Sequence, residues 1–546
     1  MRLARTFFAL LLGLSTAGVA IGQAIVVDNA DPGFTILSGT WDTGAYGSPY
    51  GADYRWATTS GAGGAPAEVE WRPDLPQAGE YEVAVHYVSG TNRATDAPFT
   101  VHHAGGSVTV PVNQQINNST WVRLGRFSFD AGSGGYVKLS NTAGPTVVIA
   151  DAARFRSADG LVPFDDRRIR IGGALFYSEG DYAMRLDRID PQLLTNPTDL
   201  FSPAVAVLTT GVTVGFCTDS PSIRAHFNHL SYVVTENTGY VVFQNGVFDQ
   251  LVHELEVVDI PSTQPGTPVT YEIVCPSYDE VTFAELELEP GASLFPLPVD
   301  RRPRYFALGD SITHGSELDA DTKADSTKSY PWVLAAAKGW QLYNLGVGGS
   351  KVTPAFGNML TGERADLITI LWGLNDKSRD NDLPLFTSKY ETLLDNLRAA
   401  QPRTPVYCMT PITCSYEGPG SQGYTLGDYR DAIVGIVATR QAAGDCHLHL
   451  VRGEDLTTLA DLSDGTHLSV PGAASFANAL AGVIGAPWGD FDQDGTWDAE
   501  DWGLFAGCLA GPDTTPPAGT CDGCDYDCDA DVDLVELAAF QQRFGP

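Results

Sequence analysis

Four short polar motifs in the second half of the chain carry side chains that could catalyse acyl transfer. They are GDSITHG at 309–315, NLGVGG at 344–349, GLND at 373–376 and DGTH at 464–467. Acyl transfer needs an activated hydroxyl, a base, a carboxylate that orients the base, and hydrogen-bond donors for the oxyanion. Ser311 supplies the hydroxyl, His467 the base and Asp464 the carboxylate. The backbone N–H groups of Ser311 and Gly349 and the side-chain amide of Asn375 supply the donors.

The elements around these motifs predict how they are brought together. Each of the first three motifs follows a short apolar run that is typical of a buried strand, and helical patterns follow the first motif at 330–339 and the third at 388–400. Strands that alternate with helices predict a parallel sheet covered on both faces. Functional residues collect at the carboxyl ends of such strands. A single GDS or DxxH motif marks an ordinary turn in many glycine-rich chains, so the prediction depends on the order and completeness of the set.

The same four motifs resemble the blocks of the SGNH (GDSL-type) hydrolases over about 304–485, with GDSITHG where a stricter lipase pattern has GDSL. The resemblance implies a three-layer α/β domain with a flavodoxin-like parallel sheet at 301–486. It also implies a carboxylic ester hydrolase that needs no cofactor for catalysis. By motif, Ser311, Asp464 and His467 form the triad, and Ser311, Gly349 and Asn375 form the oxyanion hole. A GxSxG elbow is absent, which argues against an α/β-hydrolase proper.

Other titratable side chains near the motifs have different predicted roles. His314 either contacts the substrate or lies at the surface with its hydrogen bonds satisfied. Asp310 is expected to fix the turn before the nucleophile, and Asp376 to fix the loop that carries the amide donor. His447 and His449 lack an aspartate three residues before them, so both are predicted to be structural.

The N-terminal part of the chain reads as β structure. Residues 25–156 alternate period-2 apolar runs with glycine-rich turns, which predicts a β-sandwich. The segments VDNADPGF at 27–34 and IADAARF at 149–155 resemble the golvesin-type domain that is also found on a xanthan lyase. That resemblance implies a non-catalytic role in adhesion or carbohydrate binding. The polar segment 157–166 is predicted to be a linker.

A second β-rich region follows at 167–300, and the apolar run 204–217 predicts one of its strands. The segments GALFYSEGDYAMRLDRI at 173–189 and TDSPSIRAHF at 218–227 resemble the β jelly-roll domain that precedes the catalytic domain in one branch of SGNH acyl esterases. Such a domain either supports the catalytic domain or forms a wall of the substrate cleft. Two cysteines of this region, Cys217 and Cys275, could pair.

The segment 487–546 has a charge pattern of its own, with fourteen acidic residues and no lysine or arginine between Asp490 and Glu536. Two loops, 490–501 and 525–536, place side-chain oxygens at positions 1, 3, 5, 9 and 12, as calcium requires. The pair resembles a dockerin-type module, which implies a small helical calcium-loop module and a cohesin-like or cell-surface partner. The alternative is a solvated acidic tail, and Ala530 stands where glycine is usual. The predicted ligands are Asp490, Asp492, Asp494, Asp498, Asp501, Asp525, Asp527, Asp529, Asp533 and Glu536.

Residues 1–24 have the basic start, apolar core and small final residues of a secretory signal peptide. The apolar run is shorter than the roughly 20 residues that span a bilayer, and no later stretch is long enough. The net charge of −34 argues against nucleic acid as a partner. Export permits disulfides among the nine cysteines, and for Cys521, Cys524 and Cys528 it favours disulfides over a zinc site.

Together these features predict a secreted, multidomain esterase that removes acyl groups, above all acetyl, from an acylated polysaccharide or glycan. Two alternatives stay open at this point. One is a lipase or small-ester hydrolase, and the other is a cell-surface adhesion protein with a vestigial hydrolase domain.

Overall fold

A computed structural model describes residues 24–544 except 145, 180–182, 196–199, 233–238, 255, 317–324, 380–381, 518–520 and 522. The predicted signal peptide therefore lies outside the described residues, apart from Ala24. The chain forms two compact units. The first ends at Leu161 and includes Glu287–Gly291, and the second comprises Val162–Leu286 and the residues from Ala292 onward.

The first unit is built of antiparallel strands, as its period-2 pattern predicts. In β10, for example, Val137 and Leu139 are fully buried while the residues between and beside them are partly exposed. The strands form three sheets, in the orders β1-β12-β6-β9, β2-β5-β10-β7-β8 and β11-β4-β3. Their bounds are β1 (Ile25–Asp28), β2 (Phe34–Ser38), β3 (Asp42–Gly44), β4 (Tyr54–Thr58), β5 (Glu68–Trp71), β6 (Gly79–His86), β7 (Ala97–His103), β8 (Gly106–Val112), β9 (Trp121–Phe129), β10 (Tyr136–Ser140), β11 (Val147–Ala150) and β12 (Ala152–Ser157). The predicted sheet-rich N-terminal region is confirmed.

The boundary between the two units falls inside the segment 157–166, where the sequence predicts a linker, but the segment is not polar throughout. It contains the strand β13 (Leu161–Pro163), and the side chains of Leu161, Val162 and Phe164 are buried. The prediction was based on the proline and the acidic residues of the segment. The burial of these three apolar side chains instead makes the segment part of the packed structure.

The second unit begins with two antiparallel sheets, in the orders β15-β16-β23-β18-β21 and β14-β17-β22-β19-β20. Their strands are β14 (Arg170–Gly172), β15 (Phe176–Glu179), β16 (Met184–Asp187), β17 (Thr213–Thr218), β18 (Ser222–Tyr232), β19 (Tyr240–Gln244), β20 (Val247–Val252), β21 (Val257–Pro261), β22 (Val269–Val274), β23 (Asp279–Leu288) and β24 (Leu294–Phe295), with the helices α1 (Pro191–Thr195) and α2 (Pro203–Ala206). The run 204–217 is not one strand, because Pro203 starts a helix and Gly211 turns the chain at a φ of +73°. The jelly-roll assignment stays a prediction.

Cys217 and Cys275, which the sequence suggests as a pair, are both buried free thiols. In the β17–β22 ladder, Cys217 lies opposite Thr270, whereas Cys275 follows Val274, which lies opposite Thr213. The two cysteines are thus separated by about five positions, or roughly 16 Å, along the ladder. A disulfide needs Cα atoms within about 7 Å of each other. The strand register therefore prevents this disulfide.

The rest of the second unit is a parallel sheet in the order β26-β25-β27-β28-β29, which is the flavodoxin-like order predicted from the sequence. The strands are β25 (Arg304–Gly309), β26 (Gln341–Gly346), β27 (Leu367–Leu371), β28 (Val406–Met409) and β29 (Leu448–Val451). The helices are α3 (Ser311–His314), α4 (Tyr330–Lys338), α5 (Ala355–Asn358), α6 (Leu374–Ser378), α7 (Leu383–Ala400), α8 (Leu426–Ala442), α9 (Val470–Val483), α10 (Ala499–Ala506) and α11 (Leu534–Phe544). Among the helices that the structure describes, none is long and apolar enough to cross a membrane.

Strand β25 shows why this sheet is buried on both faces. Tyr305 and Ala307 pack into the core that includes α4 and α9, while Phe306 and Leu308 pack into the core that includes α7 and α8. All four side chains have no solvent exposure. A strand covered on both faces reads as a continuous apolar run, which is the pattern found just before the GDS motif.

Two disulfides lie in or reach the acidic C-terminal segment: Cys446 is bonded to Cys528, and Cys508 to Cys521. Cys524 is a buried free thiol. Because Cys521 and Cys528 are each bonded to a different cysteine, the zinc alternative is wrong and the prediction of disulfides is confirmed. His447 lies beside the first of these bonds, and its Nε2 donates a hydrogen bond to the Tyr526 carbonyl at 2.8 Å.

Candidate active site

The carboxyl ends of three neighbouring strands meet at the edge of the parallel sheet where the strand order reverses. Strand β25 lies between β26 and β27. Ser311, Gly349 and Asn375 follow the last residues of β25, β26 and β27 by two, three and four positions. In sheets of this type ligands bind at such a switch point. The predicted nucleophile and the other two predicted oxyanion donors therefore lie at one edge.

The turn that carries Ser311 is held by its neighbours in the GDS motif. Asp310 caps α3, and its Oδ1 accepts a hydrogen bond from the N–H of Ile312 at 3.0 Å. A Cβ atom at Gly309 would lie only 2.1 Å from Oγ1 of Thr313, so no larger residue fits between the strand and the helix. As predicted, Asp310 fixes the turn.

Ser311, His467 and Asp464 form one hydrogen-bonded series. Nε2 of His467 lies 2.9 Å from Oγ of Ser311, and Nδ1 lies 2.8 Å from Oδ2 of Asp464. The other oxygen of Asp464 accepts the backbone N–H groups of Thr466 at 2.8 Å and His467 at 2.7 Å. Burial opposes ionisation of Asp464, but these hydrogen bonds from His467 and Thr466 outweigh it and lower the pKa of the carboxyl below its ordinary value. A charged Asp464 fixes the imidazole tautomer with its proton on Nδ1.

Each of the three predicted oxyanion donors is free to bind a ligand, because no described protein group accepts its hydrogen bond. Within the described part of the chain, the N–H groups of Ser311 and Gly349 and the side-chain amide of Asn375 make no hydrogen bond. Gly349 has a φ of +73°, which glycine adopts without strain. Its carbonyl accepts a hydrogen bond from Nη1 of Arg379 at 2.9 Å, which holds the turn. The motifs gave no indication of this role for Arg379.

The loops that follow β26 and β27 are tied to each other and to β25. The Asp376 carboxylate accepts the N–H of Val352 at 3.1 and 3.2 Å. Nε1 of Trp372 donates to Oγ of Ser350 at 2.9 Å, and that hydroxyl donates to the Gly309 carbonyl at 3.3 Å. Asp376 therefore fixes the loop of the amide donor, as predicted, and it does so by binding the loop that follows the glycine donor.

His314 has neither of the two roles that the sequence suggests. It is fully buried, and its Nε2 donates to the carbonyl of Ser277 at 3.0 Å. Burial lowers its pKa to about 3, with the charge of Arg188 acting in the same direction, so the ring is neutral. The reason is that Ser277, from the preceding β-rich region, covers the helix that begins at the nucleophile. A local motif carries no signal for such a distant contact.

Arg188 is a further residue near the site that sequence reasoning missed. It has no solvent exposure, and its Nε donates to the carbonyl of Leu208 at 2.6 Å. Its Nη1 donates to the carbonyls of Asn344 at 2.6 Å and Gly346 at 2.9 Å. Burial lowers the pKa of the guanidinium to about 9. Arg188 thus links the β-rich region to the end of β26, just before the glycine donor.

The buried carboxyl of Asp310 predicts a pH-dependent stability. Burial raises its pKa from 3.8 to about 7, and His467 partly offsets the shift. Because the folded state then holds a proton that the unfolded chain releases, this contribution to stability is full below pH 3.8 and is lost as the pH rises to about 7. Asp310→Asn keeps an oxygen for the Ile312 N–H and should remove a slope of up to about 1.4 kcal/mol per pH unit. Thermal melts of the wild type and of Asp310→Asn from pH 4 to 8, both in excess calcium, measure this slope.

The matched control for this prediction is Asp325→Asn. Asp325 is another buried carboxylate that caps a short helical turn. If the wild type and Asp310→Asn show the same change of melting temperature with pH, the assignment to Asp310 is wrong.

The first acidic loop runs into α10, which begins at Ala499. Ligand oxygens of Asp490, Asp492 and Asp501 lie within 4.8 Å of one another. Oδ2 of Asp490 accepts the N–H of Gly495 at 3.2 Å, while its Oδ1 is buried without a hydrogen-bond partner. Burial and the nearby charge of Asp501 raise the pKa of Asp490 to about 6. Carboxylates gathered in this way suit a hard cation such as calcium.

The second acidic loop precedes α11 and brings together ligand oxygens of Asp525, Asp527 and Glu536. Oδ1 of each aspartate and Oε1 of Glu536 are buried and have no hydrogen-bond partner. Asp531, which the sequence pattern did not select, lies with Asp533 and Glu536 in an overlapping group. Ala530 has a φ of +75°, a conformation that is unfavourable for alanine.

Three of the predicted ligands lie outside these groups of oxygens. Oδ1 of Asp494 accepts the N–H of Thr496 at 2.8 Å, and Oδ1 of Asp498 caps α10 by accepting the N–H of Glu500 at 2.9 Å. Oδ1 of Asp529 accepts the N–H of Asp531 at 3.1 Å. In this structure these side chains shape the loops.

Two segments of the chain match known families. Residues 307–474 match the GDSL-like Lipase/Acylhydrolase family, and residues 25–157 match the Golvesin C-terminal domain. The first contains Ser311, Gly349, Asn375, Asp464 and His467. The predicted golvesin-type domain and the enzyme class predicted from the motifs, a carboxylic ester hydrolase, are thereby confirmed.

Three known proteins are similar to parts of the chain. A salicylyl-acyltransferase, SsfX3, from a tetracycline biosynthetic pathway covers 60% of this chain and 98% of its own, with a TM-score of 0.53 and 22% identity, and so shares the fold. A family two carbohydrate esterase from Clostridium thermocellum aligns with 58% of this chain and 98% of its own, at a TM-score of 0.45 and 14% identity, which is too slight to bear on function. The xanthan lyase of Bacillus sp. (strain GL1) is 36% identical over 136 residues, or 24% of this chain. The chain spans only 14% of that relative's length.

Proposed function

We propose that the protein is a secreted serine esterase that removes acyl groups, above all acetyl, from a polysaccharide. The observation that carries this proposal is the hydrogen-bonded series Asp464–His467–Ser311, which ends beside three donors with no protein acceptor. A nucleophile, an oriented base and free donors at one edge of a sheet are what acyl transfer requires.

In the acylation half-reaction, Nε2 of His467 takes the proton of Ser311 while Oγ attacks the ester carbonyl carbon. Asp464 stabilises the imidazolium that forms. The N–H groups of Ser311 and Gly349 and the Asn375 amide bind the oxyanion of the tetrahedral intermediate. When this intermediate collapses, His467 donates the proton to the sugar oxygen, which leaves as a hydroxyl, and the acyl group stays on Ser311.

In the deacylation half-reaction, water takes the place of the sugar. His467 removes a proton from the water as its oxygen attacks the acyl carbon, and the same three donors bind the second oxyanion. Collapse returns the proton from His467 to Oγ of Ser311 and releases the carboxylic acid. The enzyme is restored without any group from outside the chain.

One observation supports a polymeric carrier for the acyl group. The first unit is similar to part of a xanthan lyase, a protein named for a polysaccharide, which supports a role in holding a polymer. Export, for which residues 1–24 are the signal, suits a substrate outside the cell.

Acetate release from a panel of acetylated polysaccharides tests the proposal. Acetyl-xylan, acetylated glucomannan and acetylated xanthan are suitable substrates, and p-nitrophenyl esters of increasing chain length are the comparison. We expect acetate release from at least one polymer and fastest turnover of the acetyl ester. Preference for long acyl chains would favour the lipase alternative, and inactivity towards every ester would favour an adhesion protein.

We also propose that the two acidic loops bind calcium. Asp490, Asp492 and Asp501 would hold one ion, and Asp525, Asp527 and Glu536 the other. The buried carboxylate oxygens without partners support this, because such groups repel one another until a cation neutralises them. A cohesin-like or cell-surface partner for the calcium-loaded module is part of the same proposal.

Calcium binding is expected to appear in both the melting temperature and the heat of binding. EDTA should lower the melting temperature, and titration calorimetry of the full chain should detect two sites. Ala530→Gly removes an unfavourable conformation and should stabilise the protein by about 1 kcal/mol. Gly495→Ala, at the same position of the first loop with a φ of +85°, should destabilise it. An unchanged melting temperature in EDTA would contradict bound calcium.

A further inference from the structure

A cleft lies at the end of the parallel sheet opposite to Ser311. Two adjoining cavities, of about 390 and 230 Å³, share Glu272, Arg302 and Gln341 in their linings. Gln341 is the first residue of β26, whereas Ser311 follows the last residue of the neighbouring β25. A strand of six residues spans roughly 17–20 Å. The cleft is therefore separate from the candidate active site.

One row of residues across an antiparallel sheet lines the cleft from Arg170 to Phe243 and continues to Phe248, which contacts Phe243 outside the lining. Arg170 lies opposite Gly215, Gly215 opposite Glu272, Glu272 opposite Phe243, and Phe243 opposite Phe248. Residues directly opposite each other on neighbouring strands point to the same face. Gly215 has no side chain, so the gap between the arginine and the glutamate is bounded by Leu297, whose Cδ1 lies 3.5 Å from where a Cβ atom of residue 215 would be. The row thus runs from a charged end, across a gap, to an aromatic end.

The aromatic end is extended by Trp332 of α4. Its ring is stacked on Phe243 at 6.4 Å between centroids and 20° between planes, and Phe243 meets Phe248 edge-on at 6.3 Å. Phe248 is 57% exposed, and its neighbour Val247 is 68% exposed. A cluster of exposed apolar side chains beside polar groups is typical of a binding surface.

The polar side of the cleft has groups that can both donate and accept hydrogen bonds. Arg302 forms a bidentate pair with Asp300, at 2.7 and 3.0 Å, so their charges compensate each other. Burial raises the pKa of Glu272 above its ordinary value, with Arg302 opposing the shift. The side-chain amide of Gln341 makes no hydrogen bond to any residue that the structure describes. A carboxyl group and a free amide therefore lie beside the aromatic rings.

We infer that this cleft is a second binding site, which takes a neutral saccharide chain. A sugar ring has an apolar C–H face that packs on an aromatic ring, and hydroxyls that donate to a carboxylate and accept from an amide. Pockets for small ligands have volumes of about 300–1,000 Å³ and combine apolar walls with a few polar groups. Asp300 pairs with Arg170 and Arg302 in the lining, Glu272 adds a second carboxyl, and the chain as a whole has a net charge of −34, so a polyanionic glycan is disfavoured. The inference does not depend on the esterase proposal, because the cleft contains none of the catalytic residues.

Titration calorimetry of the full chain with cellohexaose and xylohexaose tests the inference, with an oligogalacturonate as the acidic comparison. At least one neutral oligosaccharide should bind, and Trp332→Ala and Phe248→Ala should each weaken its binding tenfold or more. Glu272→Gln keeps the size of the side chain and should also weaken binding. Tyr177→Ala, which removes an aromatic side chain that is 65% exposed in the second unit and lies outside the lining of both cavities, is the matched control and should not change the affinity.

Turnover of p-nitrophenyl acetate should be the same in all of these variants, which shows that they fold and that the cleft acts apart from Ser311. Phe248→Ala and Glu272→Gln keep the test valid if Trp332→Ala does not fold. The inference is overturned if neither neutral oligosaccharide binds at millimolar concentration, if the acidic one binds more tightly, or if the cleft variants bind as well as the wild type.

Discussion

Ser311→Ala is expected to lower the turnover of p-nitrophenyl acetate by about 10⁴-fold or more, as the loss of a triad nucleophile does elsewhere. Oγ of Ser311 is the only atom removed, and it is the atom that His467 contacts at 2.9 Å. The melting temperature should change little, because the side chain is small. Steady-state kinetics and a thermal melt on the same preparation measure both quantities. Ser388→Ala, an exposed serine on α7, is the control and should remain fully active.

The same experiment can show that the triad acts as a unit. His467→Ala should be about as damaging as Ser311→Ala, and the double variant should be no worse than either, because each change alone already removes the activated nucleophile. Full activity of Ser311→Ala would refute the triad assignment. Additive losses in the double variant would show that the two side chains act independently.

Asn375→Ala is expected to lower kcat by about 10²- to 10³-fold, which corresponds to roughly 3–4 kcal/mol of lost transition-state stabilisation. The reason is that the amide donates to an oxyanion that exists only after the nucleophile has attacked. KM should therefore change little. Asn375→Asp keeps the shape but replaces a donor by an acceptor, so it should be at least as damaging. Asn358→Ala, at an exposed position of α5, is the matched control.

The two kinetic constants distinguish this role from simple substrate binding. A rise in KM with an unchanged kcat would mean that Asn375 binds the ground state, and would remove it from the oxyanion hole. The three free donors would then be reduced to the two backbone groups.

Local sequence patterns were sufficient to place the candidate active site at one edge of the sheet. The apolar run from Tyr305 to Leu308 predicts a strand buried on both faces, and the polar residues after it predict where that strand ends. The three-residue spacing of Asp464 and His467 places carboxylate and imidazole within hydrogen-bond distance. These relations involve neighbours in the chain, so periodicity and spacing carry them.

Contacts between distant segments were not predictable in the same way. Arg188 reaches the carbonyl of Gly346 across 158 positions, and His314 contacts Ser277 across 37. The pairing of Cys217 with Cys275 failed because strand register, rather than residue type, decides which side chains lie opposite each other. Such features depend on how the β-rich region packs against the parallel sheet, and local patterns contain no information about that packing.

The disulfide between Cys446 and Cys528 determines how a partner bound to the acidic C-terminal segment would hold the rest of the protein. It closes a loop of 82 residues, which in the chain-entropy account stabilises the fold by about 4.5 kcal/mol. The bond also limits how far the C-terminal segment can move relative to the parallel sheet, because it joins the second acidic loop covalently to the turn before β29. A partner that binds this segment would therefore fix the orientation of the hydrolase domain as well as its local concentration. On a polymer surface, the place where the segment is bound would then determine the direction in which the candidate active site faces.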